Sequence, residues 1–492
     1  MSETAPSAQA GAPTLDRSAR RWLALPLLVH LALCVLAWPG ATLIVDEVRY
    51  IAAAASFADG ETTVTRWHGP ELAPTPRPPS LYVPGLSLLM APWVRLFGWR
   101  GGYAVPMLAL ILGCVATWAW LRRERQPEEL ALAPLLFLPA AAFSRIAMSD
   151  VPSFAAIAVG LWLYARQDAP HLLLRRGLAG LCIGAAFNLR DTNVVLLAPL
   201  FALALLRRER GILAVLVGGI AGVALRPLST WWAFGDALYV KAPGYDFAAS
   251  HLLVGVPTYA ILTAILIPAG LPLLLRYRGP RAAGLVSSAV VFVALYMAYG
   301  YHAEESGPLK RVLLVGRFMV PALPLFALAQ GDAWRRWLAG RGALAGDDRV
   351  RRRGVIGLAL ATSLVLIAGH LGVLRQSQRV APVIAELRAA IPDGAVVACD
   401  GNGVEKFLGP DNGRLRLAPI AALRDSARTR LTARAHAEQR PIFALLQERD
   451  ESEAWRTRSA RNAAYVQGAV GDAEPIWERR VGGERLRLWR LP

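Results

Sequence analysis

The sequence predicts a polytopic α-helical membrane protein with about eleven transmembrane helices and a C-terminal extracytoplasmic α/β domain. Of its 492 residues, 55% are hydrophobic and only 18% are charged, against about a quarter in soluble domains. The apolar residues also gather in runs close to the ~20 residues that cross the hydrocarbon of a bilayer. This composition excludes a disordered chain, a fibrous protein and an ordinary soluble enzyme.

The N-terminal segment precedes the first long apolar run of the chain. Residues 1–20 are rich in alanine, proline and serine at their start, and we expect a disordered cytoplasmic segment there. Arginines then precede an apolar run from Trp22 to Pro39, a pattern that signal peptides share. Because the run is long enough to span a bilayer and no convincing cleavage site follows, it predicts the first transmembrane helix.

Ten further apolar runs follow in the membrane domain, which we place at residues 21–374. They lie near 103–120, 129–147, 151–166, 177–189, 192–206, 211–228, 256–275, 282–301, 318–331 and 355–374. Arginines cluster in alternate connections, which the positive-inside rule places in the cytoplasm together with the N-terminus. Loops 41–102, 229–255 and 302–317 then lie in the periplasm. We attribute the net charge of +18 to the arginines of the cytoplasmic connections, which set membrane orientation, and so predict no nucleic-acid partner.

Residues 375–492 are polar and differ in pattern from the rest of the chain. Helical spacing over Val380–Ile391 precedes a short strand at Ala395–Cys399. A helix is also predicted at Ile420–Glu438, and a strand at Pro441–Leu446. Two further strands, Ile476–Arg480 and Arg485–Leu491, are predicted to form a hairpin around Gly482–Gly483. This length suffices for one small α/β domain, which the topology places in the periplasm or outside a bacterial inner membrane.

The four cysteines predict no shared chemistry. They are Cys34, Cys114, Cys182 and Cys399, and no two have the spacing of a metal or redox pair. From spacing alone we expect neither a disulfide framework nor a zinc site.

Two adjacent carboxylates, Asp46 and Glu47, open the loop after the first helix. Charged groups at a membrane surface are costly to desolvate, and a carboxylate beside an acceptor hydroxyl can act as a general base. The alternative is structural: Asp46 could cap a helix over Glu47–Phe57, with Glu47 favoured by the helix dipole. The residues alone leave both interpretations open.

Three further polar positions fall on the same predicted side of the membrane. Asp150 precedes a proline and could be a helix cap or a site carboxylate. Arg190 and Asp191 form another corner, where they could simply pair with each other. Arg317 could grip a phosphate bidentately or extend to the interface.

The loop that ends at Arg317 adds two candidate groups. Lys310 and Arg311 contribute positive charge for an anionic substrate. His302, with Glu304 and Glu305, could bind a divalent metal ion, and the sequence indicates no other cofactor.

These motifs, in this order, resemble the GT-C superfamily of polyprenyl-phosphate-sugar-dependent glycosyltransferases. The nearest branch is the family-39-like enzymes, which include protein mannosyltransferases and lipid A aminoarabinose transferases. The matching positions are Asp46-Glu47-x-x-Tyr50, the stretch Pro78-Pro79-Ser80-Leu81-Tyr82-Val83-Pro84-Gly85 with Phe97-Gly98, Asp150, Phe234-Gly235 with Gly244-Tyr245, and Arg317 with Pro321 and Pro324. Phe318 stands where the last motif usually has tyrosine. The resemblance covers about residues 20–335.

The resemblance implies a role for each matching residue. Asp46 would be the base or would orient the acceptor, Glu47 would support it, and Asp150 would be a second site carboxylate. Donor phosphate would be held by Arg317, with Lys310 and Arg311 beside it. The predicted substrate contacts are Tyr50, Tyr82, Arg190, Tyr245 and His302. The implied partners are a polyprenyl-phosphate-linked sugar, a lipid, glycan or protein acceptor, and membrane lipids.

Two other classes of function share this hydropathy. A transporter or flippase of a lipid-linked sugar would often show internal repeats and charges deep inside helices, whereas the polar residues here gather at one face and no repeat relates the two halves. A membrane scaffold that presents residues 375–492 to a partner would leave Asp46, Glu47 and Arg317 without a use.

Overall fold

The computed structural model describes most of the chain. The described residues are 17–68, 73–77, 80, 82–165, 170–238, 246–301, 314–340, 348–400, 404–409, 415–449, 453–481 and 483–492. Of the predicted site residues, Tyr245, His302, Lys310 and Arg311 lie outside them, as do Glu304 and Glu305.

Helices dominate the membrane domain. They are α1 (Arg17–Leu36), α2 (Val45–Ala58), α3 (Gly85–Phe97), α4 (Ala104–Arg123), α5 (Leu138–Phe143), α6 (Asp150–Tyr164), α7 (Leu172–Phe187), α8 (Asn193–Leu206), α9 (Ile212–Phe234), α10 (Leu252–Ile261), α11 (Gly270–Leu275), α12 (Ala282–Met297), α13 (Leu323–Gly340) and α14 (Asp348–Ala390). A two-stranded antiparallel sheet, β1 (Val64–His68) and β2 (Ala73–Arg77), lies between α2 and α3.

Several described helices have the length and composition of a membrane span. Five are long and apolar enough: Trp99–Arg123, Ile212–Phe234, Ala249–Leu266, Leu314–Gly340 and Arg349–Ala390. Four shorter apolar helices accompany them: Gly85–Phe97, Asp150–Tyr164, Asn193–Leu206 and Ala282–Met297. The multi-pass helical architecture is therefore confirmed, while the count of eleven stays a prediction.

Two predicted apolar runs are broken in the structure. The run 129–147 is a 3-10 stretch, Glu128–Leu136, followed by the short α5. The run 256–275 passes from α10 through a π-helical turn at Leu262–Leu266 into α11. Prolines at positions 134 and 268 lie at these breaks, and proline lacks the N–H that a continuous helix needs.

Glycines allow α7 and α9 to approach closely. A Cβ at Gly180 or Gly184 of α7 would collide with backbone atoms of α9, and one at Gly218 or Gly222 would collide with α7. Small residues at such contacts let membrane helices pack backbone against backbone. This packing fixes the turn between α7 and α8, which carries Arg190 and Asp191.

The long helix α14 joins the membrane domain to the C-terminal residues. It has 43 residues, packs along α1, and continues without a break through position 374, where we had placed the domain boundary. Its last turns pack on the C-terminal sheet through Val383 and Leu387.

The C-terminal residues form a five-stranded mixed sheet. The strands are β3 (Val396–Cys399), β4 (Arg416–Pro419), β5 (Ile442–Arg449), β6 (Trp477–Val481) and β7 (Glu484–Leu491), in the order β4-β3-β5-β7-β6. The helices here are α15 (Glu405–Leu408), α16 (Asp425–Ala437) and α17 (Glu453–Val470). The predicted strands and the hairpin of β6 and β7 are present, whereas β4 and α17 were not predicted.

The C-terminal sheet also covers the segment that connects α1 to α2. Ala41 belongs to the same buried cluster as Phe407 and Leu445, and Leu43 packs against that cluster. Apolar residues buried together in this way stabilise the contact because their surface is removed from water. The sheet therefore lies directly beside the first turn of α2.

Candidate active site

Asp46 and Glu47 lie in the first turn of α2. The helix begins at Val45, and Ile44 occupies the N-cap position without a capping side chain. Asp46 is therefore inside the helix and does not cap it, which corrects the structural alternative considered from the sequence. Acidic residues in a first turn are favoured by the helix dipole, as expected for both.

Glu47 is fully buried and holds two segments together. Its Oε2 accepts a hydrogen bond from the Leu43 amide at 2.6 Å, and its Oε1 accepts one from the Ala147 amide at 3.1 Å. Burial raises the pKa of Glu47 to about 7, although these amide bonds act in the opposite direction. The side chain thus connects the start of α2 to the segment that leads to Asp150.

Asp46 is the more accessible of the two carboxylates. Its side chain is 30% exposed, and its Oδ2 lies 3.8 Å from a terminal nitrogen of Arg317. Its Oδ1 accepts a hydrogen bond from the Tyr82 hydroxyl. Burial and the charge of Asp46 raise the pKa of Tyr82, so the phenol keeps its proton and donates it to the carboxylate.

Tyr50 supports Tyr82 from behind. The two rings stack with centroids 4.8 Å apart, and Tyr50 is only 5% exposed. The Tyr50 ring therefore packs in the wall behind Tyr82, and Tyr82 is the tyrosine that contacts Asp46. Direct substrate contact by either tyrosine stays a prediction.

Asp150 and Arg190 form a buried ion pair. Asp150 is the first residue of α6 and is fully buried, and its Oδ1 accepts a hydrogen bond from Arg190. Its other oxygen, Oδ2, has no hydrogen-bond partner. Asp191, the neighbour suggested as the partner of Arg190, instead accepts a hydrogen bond from Arg226 of α9, so that pairing was wrong.

Arg317 lies in a 3-10 turn, Arg317–Ala322, that leads into α13. It is 7% exposed, and its Nε has no hydrogen-bond partner. Its guanidinium contacts the rings of Phe143, Tyr301 and Phe318 at 5.1–5.7 Å from their centroids. A guanidinium on aromatic faces stays charged with little water around it, which suits it to bind an anion.

An aromatic cluster that the sequence analysis missed joins the two arginines. Phe318 stacks on Tyr296 at 4.8 Å and also contacts Tyr299 and Tyr301. Arg190 lies over the Phe318 ring at 4.6 Å, on the same aromatic group as Arg317. The sequence signal was the spacing Tyr296-x-x-Tyr299-x-Tyr301 at the end of α12 and just beyond it, where closely spaced tyrosines could have indicated a site wall.

The structure thus brings Asp46, Glu47, Asp150, Arg190 and Arg317 to one place. The two carboxylates that face arginines are each incompletely satisfied, because Asp46 is 3.8 Å from Arg317 and Asp150 has one unpaired oxygen. A buried polar atom without a partner costs free energy, so a ligand that completes these bonds would gain it.

Solved structures of known proteins share this fold. ArnT from Cupriavidus metallidurans in the apo state matches with a TM-score of 0.59 and 13% identity, over 96% of this chain and 98% of that one. The same protein bound to undecaprenyl phosphate matches with a TM-score of 0.56 and 14% identity, over the same shares. The Archaeoglobus fulgidus oligosaccharyltransferase in the apo form matches at 0.51 and 11% identity, over 87% of this chain and 69% of that one.

Sequence comparisons add nothing to these structural matches. No family model matches the chain, and no curated protein sequence matches it. The identities of 11–14% carry the likeness of fold alone. The chain therefore has the fold of ArnT along almost its whole length, and the predicted multi-pass helical fold with a C-terminal sheet domain is confirmed.

Proposed function

We propose that this chain is an integral-membrane glycosyltransferase that moves a sugar from a polyprenyl-phosphate donor to a cell-envelope acceptor at the periplasmic face. The observation that carries the proposal is the pair of Asp46 and Arg317, 3.8 Å apart, in which the arginine Nε lacks a partner. A base beside an anion-binding group is what transfer from a phosphate ester requires. The undecaprenyl phosphate bound to ArnT, a protein of the same fold, supports a lipid-phosphate ligand.

Asp46 acts as the base, or orients the acceptor. Tyr82 donates to one carboxylate oxygen and fixes the carboxylate, while the other oxygen faces Arg317 and is free to accept the acceptor's proton. The acceptor oxygen then bonds to the anomeric carbon as the bond from that carbon to the phosphate oxygen breaks. Because attack comes from the face opposite the leaving group, the configuration at this carbon inverts.

Arg317 binds the leaving phosphate. The bond's electron pair leaves on the phosphate oxygen, and the guanidinium neutralises that added charge with two N–H groups. Asp150 holds Arg190 against the aromatic cluster beside Arg317, so the site offers a second guanidinium to the donor. Lys310 and Arg311 belong to the loop just before Arg317 and are proposed to add charge on the donor side.

Complementation of a deletion strain tests the proposal. Mass spectrometry of envelope glycans should show one sugar lost in the deletion strain and restored by the wild-type gene. The Asp46→Asn variant should restore less than about 1% of it, because general base catalysis contributes ~10²–10⁴-fold and asparagine cannot take the proton. Asp59→Asn, at the exposed far end of the same helix, is the matched control and should restore it fully.

Two outcomes would count against the proposal. Full transfer with Asp46→Asn would remove the base role. A purified wild-type protein that moves a lipid-linked sugar across vesicles without transferring it would favour the transporter.

A further inference from the structure

Two histidines and a cysteine meet inside the membrane domain, away from the proposed active site. His30 and Cys34 lie one turn apart on α1, and His370 lies on α14, which packs along α1. The exposed fractions are 0%, 3% and 1%. One ligand atom from each residue lies within 4.8 Å of the others.

The hydrogen bonds of the two rings fix their protonation. A carbonyl oxygen can only accept, so His30 carries its proton on Nε2, 3.1 Å from the Met107 oxygen. By the same reasoning His370 carries its proton on Nδ1, 2.7 Å from the Leu366 oxygen. Each ring then keeps one lone-pair nitrogen 3.8 Å from the Cys34 sulfur, and the sulfur also lies 3.6 Å from the protonated Nε2 of His30.

This arrangement is typical of metal-binding histidines. A ligating histidine almost always donates its other N–H to a backbone carbonyl or a carboxylate, which sets the tautomer and the ring orientation. Metal bonds of about 2.3 Å to sulfur and about 2.0–2.1 Å to nitrogen, opened to a planar three-ligand angle, place sulfur and nitrogen about 3.8 Å apart. His370 Nε2 lies at that distance from the sulfur, whereas the sulfur is almost equidistant from both nitrogens of His30, so the His30 ring must turn for its Nδ1 to bind the same ion.

Charge selects among the metals that sulfur and imidazole bind. Arg145 is buried beside Cys34, donates a hydrogen bond to the Leu33 carbonyl at 3.4 Å, and brings one positive charge into this place. When a monovalent ion binds, the thiol releases one proton to solvent and the total charge does not change. A divalent ion would leave an extra buried positive charge, which is costly in a low dielectric.

We propose that His30, Cys34 and His370 form a site for one soft monovalent metal ion of the copper(I) class. Thiolate and imidazole are ligands that copper(I) accepts. The ion joins α1 to α14, and so fastens the first helix to the helix that carries the C-terminal sheet. No residue of the proposed active site takes part, so this inference does not depend on the proposed function.

Metal titration of the purified full-length protein in detergent tests the site. Copper(I), kept reduced with ascorbate and buffered by a competing chelator, should bind at one equivalent and raise the melting temperature. Cys34→Ser should lower the bound metal at least tenfold and remove the rise in melting temperature. Cys114→Ser is the matched control, since Cys114 is equally buried on α4 and lies outside the cluster.

Each result decides the proposal in one direction. X-ray absorption of the loaded protein should show one sulfur and two nitrogen ligands, and His370→Gln should lose one nitrogen. Equal copper(I) binding by wild type and Cys34→Ser would overturn the site, as would no binding by the wild type. Zinc(II) binding as tightly as copper(I) would overturn the monovalent assignment. Melting without metal shows whether Cys34→Ser itself folds normally.

Discussion

Aspartate carboxylates are bonded in different ways in the candidate site and in the C-terminal sheet. Asp400, at the end of β3, accepts hydrogen bonds on both oxygens from Arg458 and a further one from Asn462 at 2.8 Å. Glu484 of β7 bonds Lys406 at 3.0 Å and Arg449 at 2.9 Å. Near the membrane, Asp150 keeps an oxygen without a partner, and Arg317 keeps a nitrogen without one.

This difference separates groups that hold the fold from groups that are arranged for a ligand. A saturated network has no bonding capacity left, so its residues contribute to stability and position. An incomplete network at a buried place carries a free-energy cost that a substrate can relieve. Asp46 and Arg317 belong to the second kind, and Asp400 to the first, whereas Arg449, a partner of Glu484, also keeps a buried Nε without a partner.

The largest effect is expected from breaking the buried pair of the membrane domain. Asp150→Asn leaves Arg190 buried without a counter-charge, which costs about 3–5 kcal/mol. Glu478→Gln is the control, because both partners of its pair with Arg485 are exposed, at 37% and 39%, and breaking that pair should cost far less free energy of unfolding. Thermal unfolding of both variants in detergent measures the comparison. Equal stability of the two variants would show that breaking the buried Asp150–Arg190 pair costs no more free energy of unfolding than the control substitution does.

The sequence predicts the local parts of this fold well and the long-range pairs poorly. The apolar runs predicted most membrane helices, and alternation predicted the hairpin of β6 and β7, because both signals are periodic over a few residues. Glu405 gave no such signal. It lies in a helix of only four residues, Glu405–Leu408, and pairs with Arg49 of α2 across 356 positions.

In the candidate site, too, local sequence patterns predicted individual residues but not the pairs that they form. Asp46, Asp150 and Arg317 were found because charges beside apolar runs stand out. Arg190 was found too, but its pairing with Asp150 was not, since Asp150 is the first residue of α6 and no local pattern links the two. The continuity of α14 past position 374 was also missed, because hydropathy falls there while helical spacing continues.

A second prediction concerns the contact between the two regions. Arg49 bonds Glu405 through two nitrogens at 3.2 and 3.5 Å, with Glu405 buried and Arg49 only one turn after Asp46. Glu405→Gln should lower stability by about 1.5–3 kcal/mol, because a charged hydrogen bond is lost.

The same variant should lower the turnover number several-fold without changing the donor KM, since Asp46 is displaced while Arg317 is not. Adding Arg49→Gln to Glu405→Gln should lower the free energy of unfolding little further, because the two residues are partners in one interaction. Glu478→Gln is the control, because Glu478 forms an exposed pair with Arg485 in the same domain. Equal losses of turnover from Glu405→Gln and Glu478→Gln would show that Glu405 does not act on the site through α2.

A smaller effect is expected from pH through Glu47. The pKa of Glu47 is raised to about 7 in the folded protein, above its ordinary value of 4.5. Between about pH 4.5 and 7, the folded state therefore keeps a proton that the unfolded state has released. Stability should therefore fall as pH rises from about 4.5 to 7 and level off above that. Glu47→Gln should flatten this part of the melting-temperature profile, and an unchanged profile would contradict the assignment.

The central claim is that the incomplete network around Arg317 binds a lipid phosphate, and equilibrium binding tests it most directly. Undecaprenyl phosphate is titrated into the full-length protein in nanodiscs, with Arg317→Ala compared against Arg458→Ala of the saturated network. The lost charged hydrogen bonds should weaken binding about 10- to 100-fold in Arg317→Ala. Arg458→Ala should bind as the wild type does, and Asp46→Asn should bind at least as tightly, because a negative charge beside the phosphate is removed. Equal affinity of Arg317→Ala and wild type would contradict the account.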